Sequence, residues 1–583
     1  MSIFSQPEWS NFVHVVSTRP WHCFGYALGL SRLVLRRFSN TLHIKLFGKR
    51  HRGLKRWPEW LAADTHEIIA PYAELSFPKY SLFSKSCLTT AVPKLHFEAT
   101  DPERYFAFHR WIDCYSATLA EEAVAASALN DALSWIYNPP VKQDAAWETY
   151  SSSERVANLC VMLSVHANLW RNLEMDKKKK IEQFLIESAR WITNHLEYYG
   201  ISNTNNHILN NARALVIAGV VLGNEFLVER GLVVFSKMAN ELFQSGGFLR
   251  ERSSHYQCLV MNWLIDAVHF SRTIHLSHKS ARIARGELEE LSLRVIAATE
   301  LLITAMNGMS ATHIGDISPD NHPVATVFRL RFLYSDWFQE NKIAVNGYQD
   351  DWLFAADYKS QLIMCGMPTQ YPFEYATHGH SDLGSFVWSF NRNYILVDSG
   401  RASYVADETT KLQCSQMGHN SLTVNGLPAL SDSLLTRGIW RPKPYCKATV
   451  NIEQKLPKGF ILSHDGFSRI PRVKTHTRSV QILADGIEII DTLLGSGKVE
   501  IDLYWHFALG LKPHAHHPNL LSGADYEILI EEVASGVGDV VWLAYPFSAA
   551  YGKVESAYMR RIKYSISLPW SVKTKMKVMQ CAE

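Results

Sequence analysis

Apolar residues recur at helical spacing from roughly Pro102 to Asn307, and past about Asn346 they give way to short stretches in which apolar and polar residues alternate. The first pattern puts an apolar stripe on each of a series of helices, and the second puts an apolar face on each of a series of strands. Arg104–Leu119, Glu154–Leu173, Lys177–Tyr198, Asn206–Leu222, Phe226–Phe243, His255–Ile274 and Glu287–Met306 are the expected helices, divided by Gly, Pro, Asn and Ser. Their short connectors favour antiparallel hairpins. Gly384–Phe390, Tyr394–Val397, Ser421–Val424, Thr475–Leu483, Gly486–Asp491 and Glu500–Phe507 are the expected strands of antiparallel sheets. The fold class is therefore α+β and multidomain, with a helical domain over 61–345 and an antiparallel β domain over 346–583. Asn307–Asn346, which contains Gly315-Asp316-Ile317-Ser318-Pro319-Asp320, is the expected transition, and a cleft between domains is a common place for a ligand.

Length agrees with this division, because 583 residues exceed what one hydrophobic core usually organises. Residues 1–60 form a basic extension carrying Arg32, Arg36, Arg37, Lys45, Lys49, Arg50 and Arg52, a charge run expected to be solvated and to pack on the main body. A net charge of +3 is too mild to imply nucleic-acid binding, although local basic patches can attract an anionic substrate. The nine cysteines are scattered without a C-x-x-C pair, which suits a reducing compartment better than a disulfide framework. The N-terminus lacks the pattern of a signal peptide, and no apolar run is long enough to span a bilayer. The expectation is a cytoplasmic protein with no transmembrane segment.

The candidate chemistry lies in three places. In His378-Gly379-His380-Ser381-Asp382 two histidines separated by one residue would share one face of a strand, setting a metal ligand beside a proton-transfer group. With Asp398, at the end of an apolar run, and His419, the second histidine completes an N/O set suited to zinc, leaving a fourth position for water. The ligands expected on this basis are His380, Asp398 and His419. In Asn203-Thr204-Asn205-Asn206-His207, one asparagine would serve as an N-cap, but a cluster of them exceeds what capping needs. In Glu251-Arg252-Ser253-Ser254-His255-Tyr256, Ser253 or Ser254 can cap the following helix, which sets Tyr256 in its first turn near a domain edge.

The stretches Tyr375 to Phe386 and Ile395 to Gly400 closely resemble the signature of the heparinase II/III family of polysaccharide lyases, and Met417-Gly418-His419-Asn420 resembles that family's later His-Asn element. The resemblance implies an incomplete (α/α) toroid followed by a β-sandwich, one zinc per chain on His380, Asp398 and His419, and a catalytic His378. The Asn-rich stretch resembles the family's Asn-His element, which implies that Asn206, with His207 beside it, faces the substrate carboxylate. Glu251, Ser253 and Tyr256 match a Glu-x-Ser-x-x-Tyr arrangement, implying a catalytic Tyr256. Here Gln257 and Cys258 follow that tyrosine, where the family often has a basic or aromatic residue. Trp147-Glu148-Thr149-Tyr150 with Arg155 and Asn158 is similar to the family's helical region. Glu251, Arg401 and Tyr404 are expected substrate contacts. A bacterial source is implied as well.

These residue types suit β-elimination from a uronic acid. Removing the C5 proton beside a carboxylate requires donors that neutralise the carboxylate, a task for Asn206 and His207. A base must take the proton and an acid must protonate the leaving oxygen, roles open to Tyr256 and, from the opposite face, His378. The implied partner is an anionic polysaccharide such as a glycosaminoglycan, alginate or a related bacterial polymer. Two alternatives compete with this reading. A glycoside hydrolase would need a flanking carboxyl pair drawn from Glu251, Asp316 and Asp382, and a non-catalytic glycan-processing protein would serve capsule or exopolysaccharide assembly.

Overall fold

The computed structural model describes residues 101–142, 144–200, 204–307, 312–320, 347–349, 352–365, 378–430, 432–434, 440–442, 448–453 and 458–580. The basic extension over 1–60 lies outside them.

The first part is helical: α1 (Pro102–Phe108), α2 (Ile112–Ala117), α3 (Glu122–Tyr137), α4 (Thr149–Val165), α5 (Ala167–Arg171), α6 (Met175–Asn194), α7 (His207–Val221), α8 (Glu225–Leu242), α9 (Ser254–Arg272) and α10 (Lys279–Ala305). The hub is α7, which packs against α4, α6, α8 and α9. Its residues from Ile208 to Val221 are all buried, as expected of a helix with no solvent face. Arg213 within it binds Asp266 of α9 at 2.8 Å and Glu154 of α4 at 3.3 Å, so its buried charge is compensated.

Two departures from the periodicity have local causes. The expected helix over 104–119 breaks into α1 and α2 because Trp111 takes a left-handed backbone (φ 52°) and the Arg110 side chain turns inward to Asp320 (2.6 Å) and Glu148 (3.1 Å). Helix α3 escaped the pattern because its buried stripe, Ala125, Ala128, Leu129, Ala132 and Leu133, is mostly alanine and carries a faint hydrophobic signal.

The second part is antiparallel sheet. One sheet has the order β1 (Gly347–Gln349), β2 (Trp352–Ala356), β3 (Ser360–Cys365), β4 (Phe386–Phe390), β5 (Asn393–Leu396). The chain then adds β6 (Leu422–Val424), a small β7 (Asp432–Leu434) and β8 (Trp440–Pro442) pair, and β9 (Val450–Glu453), β10 (Gly459–His464) and β11 (Val473–Leu483). It finishes with β12 (Gly486–His506), β13 (Lys512–His514), β14 (His517–Ser522), β15 (Tyr526–Ala534), β16 (Gly538–Phe547) and β17 (Glu555–Gln580). The larger sheet runs β13-β14-β15-β17-β12-β11-β10-β9, with β16 on β17 and β6 on β12. Two expected strands, Gly486–Asp491 and Glu500–Phe507, merge into the one long strand β12, which ends one residue short of Phe507 and whose pairing with β17 shifts register between Leu493 and Gly497.

The two sheets meet where the Phe386 ring of β4 lies 6.1 Å from the Trp505 ring of β12. Asn420 fastens them: its amide donates to Phe386 O (2.8 Å) and Val397 O (3.0 Å), and its Oδ1 accepts from His506 N (2.7 Å). Helices and sheets are joined by the segment 312–320. Ser254 N donates to Ile314 O (2.9 Å), Asp316 N to His378 O (2.8 Å) and Ser318 N to His255 Nδ1 (3.0 Å). Gly315 is required here, since its φ is +76° and a Cβ would meet His378 O at 2.6 Å and Arg252 O at 2.7 Å.

Candidate active site

Asn206 occupies the N-cap position of α7, yet its side chain makes no capping bond. Its Nδ2 donates to Glu251 Oε2 (2.5 Å) and lies 3.1 Å from His378 Nε2, while its backbone N donates to Glu251 Oε1 (2.8 Å). Capping therefore does not explain this asparagine. Glu251, in the turn before α9, holds the amide from behind, and the amide reaches across from the helical domain to the β domain.

The cap of α9 is Ser253, whose Oγ accepts from Tyr256 N at 3.1 Å and donates to Asp316 O at 2.6 Å. This fixes Tyr256 in the first helical turn, with its phenol ring stacked on the His378 imidazole. The Tyr256 hydroxyl is 3.2 Å from that of Tyr404, and Tyr404 donates to Asp316 Oδ2 at 2.9 Å. Burial, reinforced by Asp320, pushes the Tyr256 phenol well above the ordinary tyrosine value, so it stays protonated in neutral water. Burial and the adjacent Asp316 do the same to Tyr404.

Asp316 is the convergence point. Its Oδ1 faces His380 Nε2 (2.9 Å) and Arg401 Nη1 (2.6 Å), and its Oδ2 faces His378 Nδ1 (3.0 Å) as well as the Tyr404 hydroxyl. Burial alone would raise this carboxyl, but Arg401 and the two histidines hold it well below the usual carboxylate range.

On the far side of His380, the ligand atoms of His380, Asp398 and His419 all lie within 4.8 Å of one another and all three residues are buried. His419 Nδ1 contacts Asp398 Oδ2 at 2.8 Å, and Gly400 N donates to Asp398 Oδ1 at 2.9 Å. His380 Nδ1 and His419 Nε2 have no hydrogen-bond partner, although both atoms are buried. Two orphaned imidazole nitrogens beside a carboxylate are what a divalent cation of borderline softness would satisfy, so this donor set fits such an ion. A second group, Asp316, His380 and Cys414, meets the same distance limit, but Arg401 Nη1 lies 2.8 Å from Cys414 Sγ and 2.6 Å from Asp316 Oδ1, which disfavours a further cation.

Several expected placements are altered. His378 and His380 do not lie on a strand; they sit in irregular chain before β4, and they come side by side because both flank Asp316. Asp398 lies two residues beyond the end of β5. His207 turns away from His378 toward Glu197 (3.1 Å) and against the Tyr150 ring, 4.6 Å between centroids. Although burial opposes its charge, Glu197 raises His207 to about 9. Arg401 and Glu251, expected at the polymer, are buried and committed to Asp316 and Asn206. Tyr404 sits within the Tyr256–His378 group itself. The sequence places Asp316 only in the domain transition and among the possible hydrolytic carboxyls, because a lone Asp after Gly315 in a polar loop gives no stronger signal.

Residues 353–547 match the family described as heparinase II/III-like, C-terminal. No curated protein matches the chain. Among solved structures, heparinase III is similar, with a TM-score of 0.61 and 14% identity over 84% of this chain and 79% of that one. A heparan sulfate lyase, HepC from Pedobacter heparinus, gives a TM-score of 0.51 and 16% identity over 84% of this chain and 79% of its own. At these identities the likeness is one of fold: helical toroid first, antiparallel β-sandwich second. Among the described residues no helix is long and apolar enough to cross a membrane. The chain thus carries a heparinase II/III-like C-terminal region over 353–547, on an architecture similar to that of heparinase III.

Proposed function

We propose that the protein is a polysaccharide lyase that cleaves a uronate-containing glycan by β-elimination, leaving an unsaturated uronate at the new end. The observation that carries this reading is the meeting of Asn206, Tyr256 and His378, drawn from both domains. Solved neighbours of the same fold include a heparan sulfate lyase, which makes a glycosaminoglycan the first substrate to try.

In this reading the substrate carboxylate takes the Asn206 N–H that now faces His378, and the His207 cation adds long-range attraction. Neutralising the carboxylate lowers the cost of the second negative charge that forms when the C5 proton leaves. The Tyr256 phenol, held protonated, gives its proton to the departing 4-oxygen. In anti elimination His378 Nε2 takes the C5 proton from the opposite face; in syn elimination the phenol must first cede its own proton to solvent, and the Tyr256 phenolate then takes the C5 proton and passes that same proton to the 4-oxygen. Zinc bound by His380, Asp398 and His419 would supply a fixed positive charge that orders the chain before β4.

A hydrolase is less well supported. Its carboxyl pair would have to flank the glycosidic bond with room for water or direct attack. Glu251 is bound to Asn206, Asp316 is enclosed by its donors, and Asp382 is buried 3.9 Å from Arg252. Assay of a panel of uronate polymers for the ultraviolet absorbance of the unsaturated product tests the proposal; no absorbance with any of them would count against it.

A further inference from the structure

We infer that Asp316 is a positioning residue that ties the candidate cation site to His378, so that an ion held by His380, Asp398 and His419 orients the base without touching the sugar. The catalytic half of this inference rests on the lyase reading, and the cation half does not.

The argument is one of donor accounting. An ionised carboxylate only accepts hydrogen bonds, so each group facing Asp316 must present a proton to it. His380 therefore carries its proton on Nε2, 2.9 Å from Oδ1, and its buried Nδ1, which has no hydrogen-bond partner, keeps the lone pair it would offer to an ion. His378 carries its proton on Nδ1, 3.0 Å from Oδ2, and its Nε2 lone pair is left toward the Asn206 amide at 3.1 Å. One carboxylate thus sets the tautomer of both imidazoles, leaving one lone pair for the cation site and the other facing the Asn206 amide, where the lyase reading needs the base. A bound ion reinforces the arrangement, because an occupied Nδ1 cannot take the proton and His380 must keep donating to Asp316.

The backbone that carries the carboxylate is fixed as well. Asp316 N donates to His378 O (2.8 Å), and Ser253 Oγ donates to Asp316 O (2.6 Å) from the turn that carries Tyr256. Arg401 and the Tyr404 hydroxyl occupy the remaining acceptor positions, so rotation of the carboxylate would strand buried donors. The spacing of the two histidines fits: a Cβ on Gly379 would meet Arg252 Nη2 at 2.8 Å.

Asp316→Asn preserves size but offers one acceptor oxygen and one donor where two acceptors are needed. Zinc affinity of the full-length protein, measured by competition with a chromogenic chelator, should fall about 10–100-fold in Asp316→Asn, the range for losing a group behind a metal-binding histidine. Glu251→Gln, which alters a group touching Asn206 and His378 but not His380, should leave that affinity unchanged. On a polymer that the wild type cleaves, Asp316→Asn should lower kcat by about 10–100-fold with KM little changed. Added to His378→Ala it should cost nothing further, because it acts through that ring. Unchanged zinc affinity in Asp316→Asn, or losses that multiply in the double variant, would overturn the inference. If the wild type cleaves no uronate polymer, the lyase reading fails, while the affinity comparison still decides whether Asp316 serves the cation site. Should Asp316→Asn not fold, Tyr404→Phe removes one Asp316 donor and leaves the carboxylate; kcat reduced at constant zinc content is the result expected of it, and unchanged kcat contradicts the coupling.

Discussion

The imidazole of His378 and the phenol of Tyr256 lie face to face, 3.6 Å between centroids and 11° between planes, although one belongs to the chain before β4 and the other to the first turn of α9. Stacking engages the faces of both rings and leaves their edges to in-plane partners, and the two edges present different groups: a hydroxyl from the helical side, against Tyr404, and a ring nitrogen from the sheet side, against Asn206. The division of labour in the proposed elimination follows from this.

Tyr256→Phe keeps the stack and removes the hydroxyl. Turnover should fall by about 10²–10⁴-fold on every substrate the wild type accepts, since the leaving-group acid is lost in either stereochemical course. Among the described residues the hydroxyl hydrogen-bonds to that of Tyr404 alone, so circular dichroism and the thermal midpoint should stay close to wild type. A folded variant with near wild-type rates would remove Tyr256 from the reaction.

His378→Ala separates the two courses. The loss should be greatest on whichever of a glucuronate polymer and its C5-epimerised counterpart requires anti elimination, with general-base contributions of about 10²–10⁴-fold. Comparing kcat/KM on both polymers checks this, and equal losses on both would remove the stereochemical distinction.

Asp398→Ala tests the cation site without reference to activity. The substitution strips a buried acceptor from His419 Nδ1 and a candidate ligand from the ion. Metal analysis of protein purified without added metal should show one zinc per chain in wild type and little in the variant, together with about 1.5–3 kcal/mol of lost stability. Full metal content and an unchanged thermal midpoint would place the ion elsewhere.

The His207–Glu197 pair sets a pH window. The imidazole is raised to about 9 in the folded protein, against an ordinary value near ~6.5. The pair therefore contributes its full stability below about pH 6.5, and the contribution fades as the pH rises through about 9. The difference in thermal midpoint between wild type and Glu197→Gln should narrow over that interval. If the His207 cation also attracts the substrate carboxylate, KM should climb over the same range in wild type and not in His207→Gln.

Much of this was legible in the residues themselves. Periodicity marked the change from helix to strand, because an apolar stripe and an apolar face leave different repeats. His378 and His380 stand in a His-x-His pair and Asn206 in an asparagine cluster, whereas Tyr256, Asp398 and His419 are marked chiefly by resemblance to the family's motifs; the structure gathers Asn206, Tyr256 and His378 into one group and His380, Asp398 and His419 into the adjoining one. Asp316 was not legible in its role, because its importance lies in four donors drawn from residues 62, 64, 85 and 88 positions away along the chain. Arg401 is expected at the substrate and not at Asp316 for the same reason, since its partner is distant in sequence. The inward turn of Glu251 depends on the approach of α7 to the turn before α9, which no local pattern encodes.

The proposed chemistry is tested most directly by the oxygen balance of the products. Cleavage of a uronate polymer in isotopically labelled water should give ends that absorb in the ultraviolet through a C4–C5 double bond and carry no label at the cleaved linkage, because elimination consumes no water. Saturated ends bearing oxygen from the labelled water would mean hydrolysis and would contradict the lyase assignment.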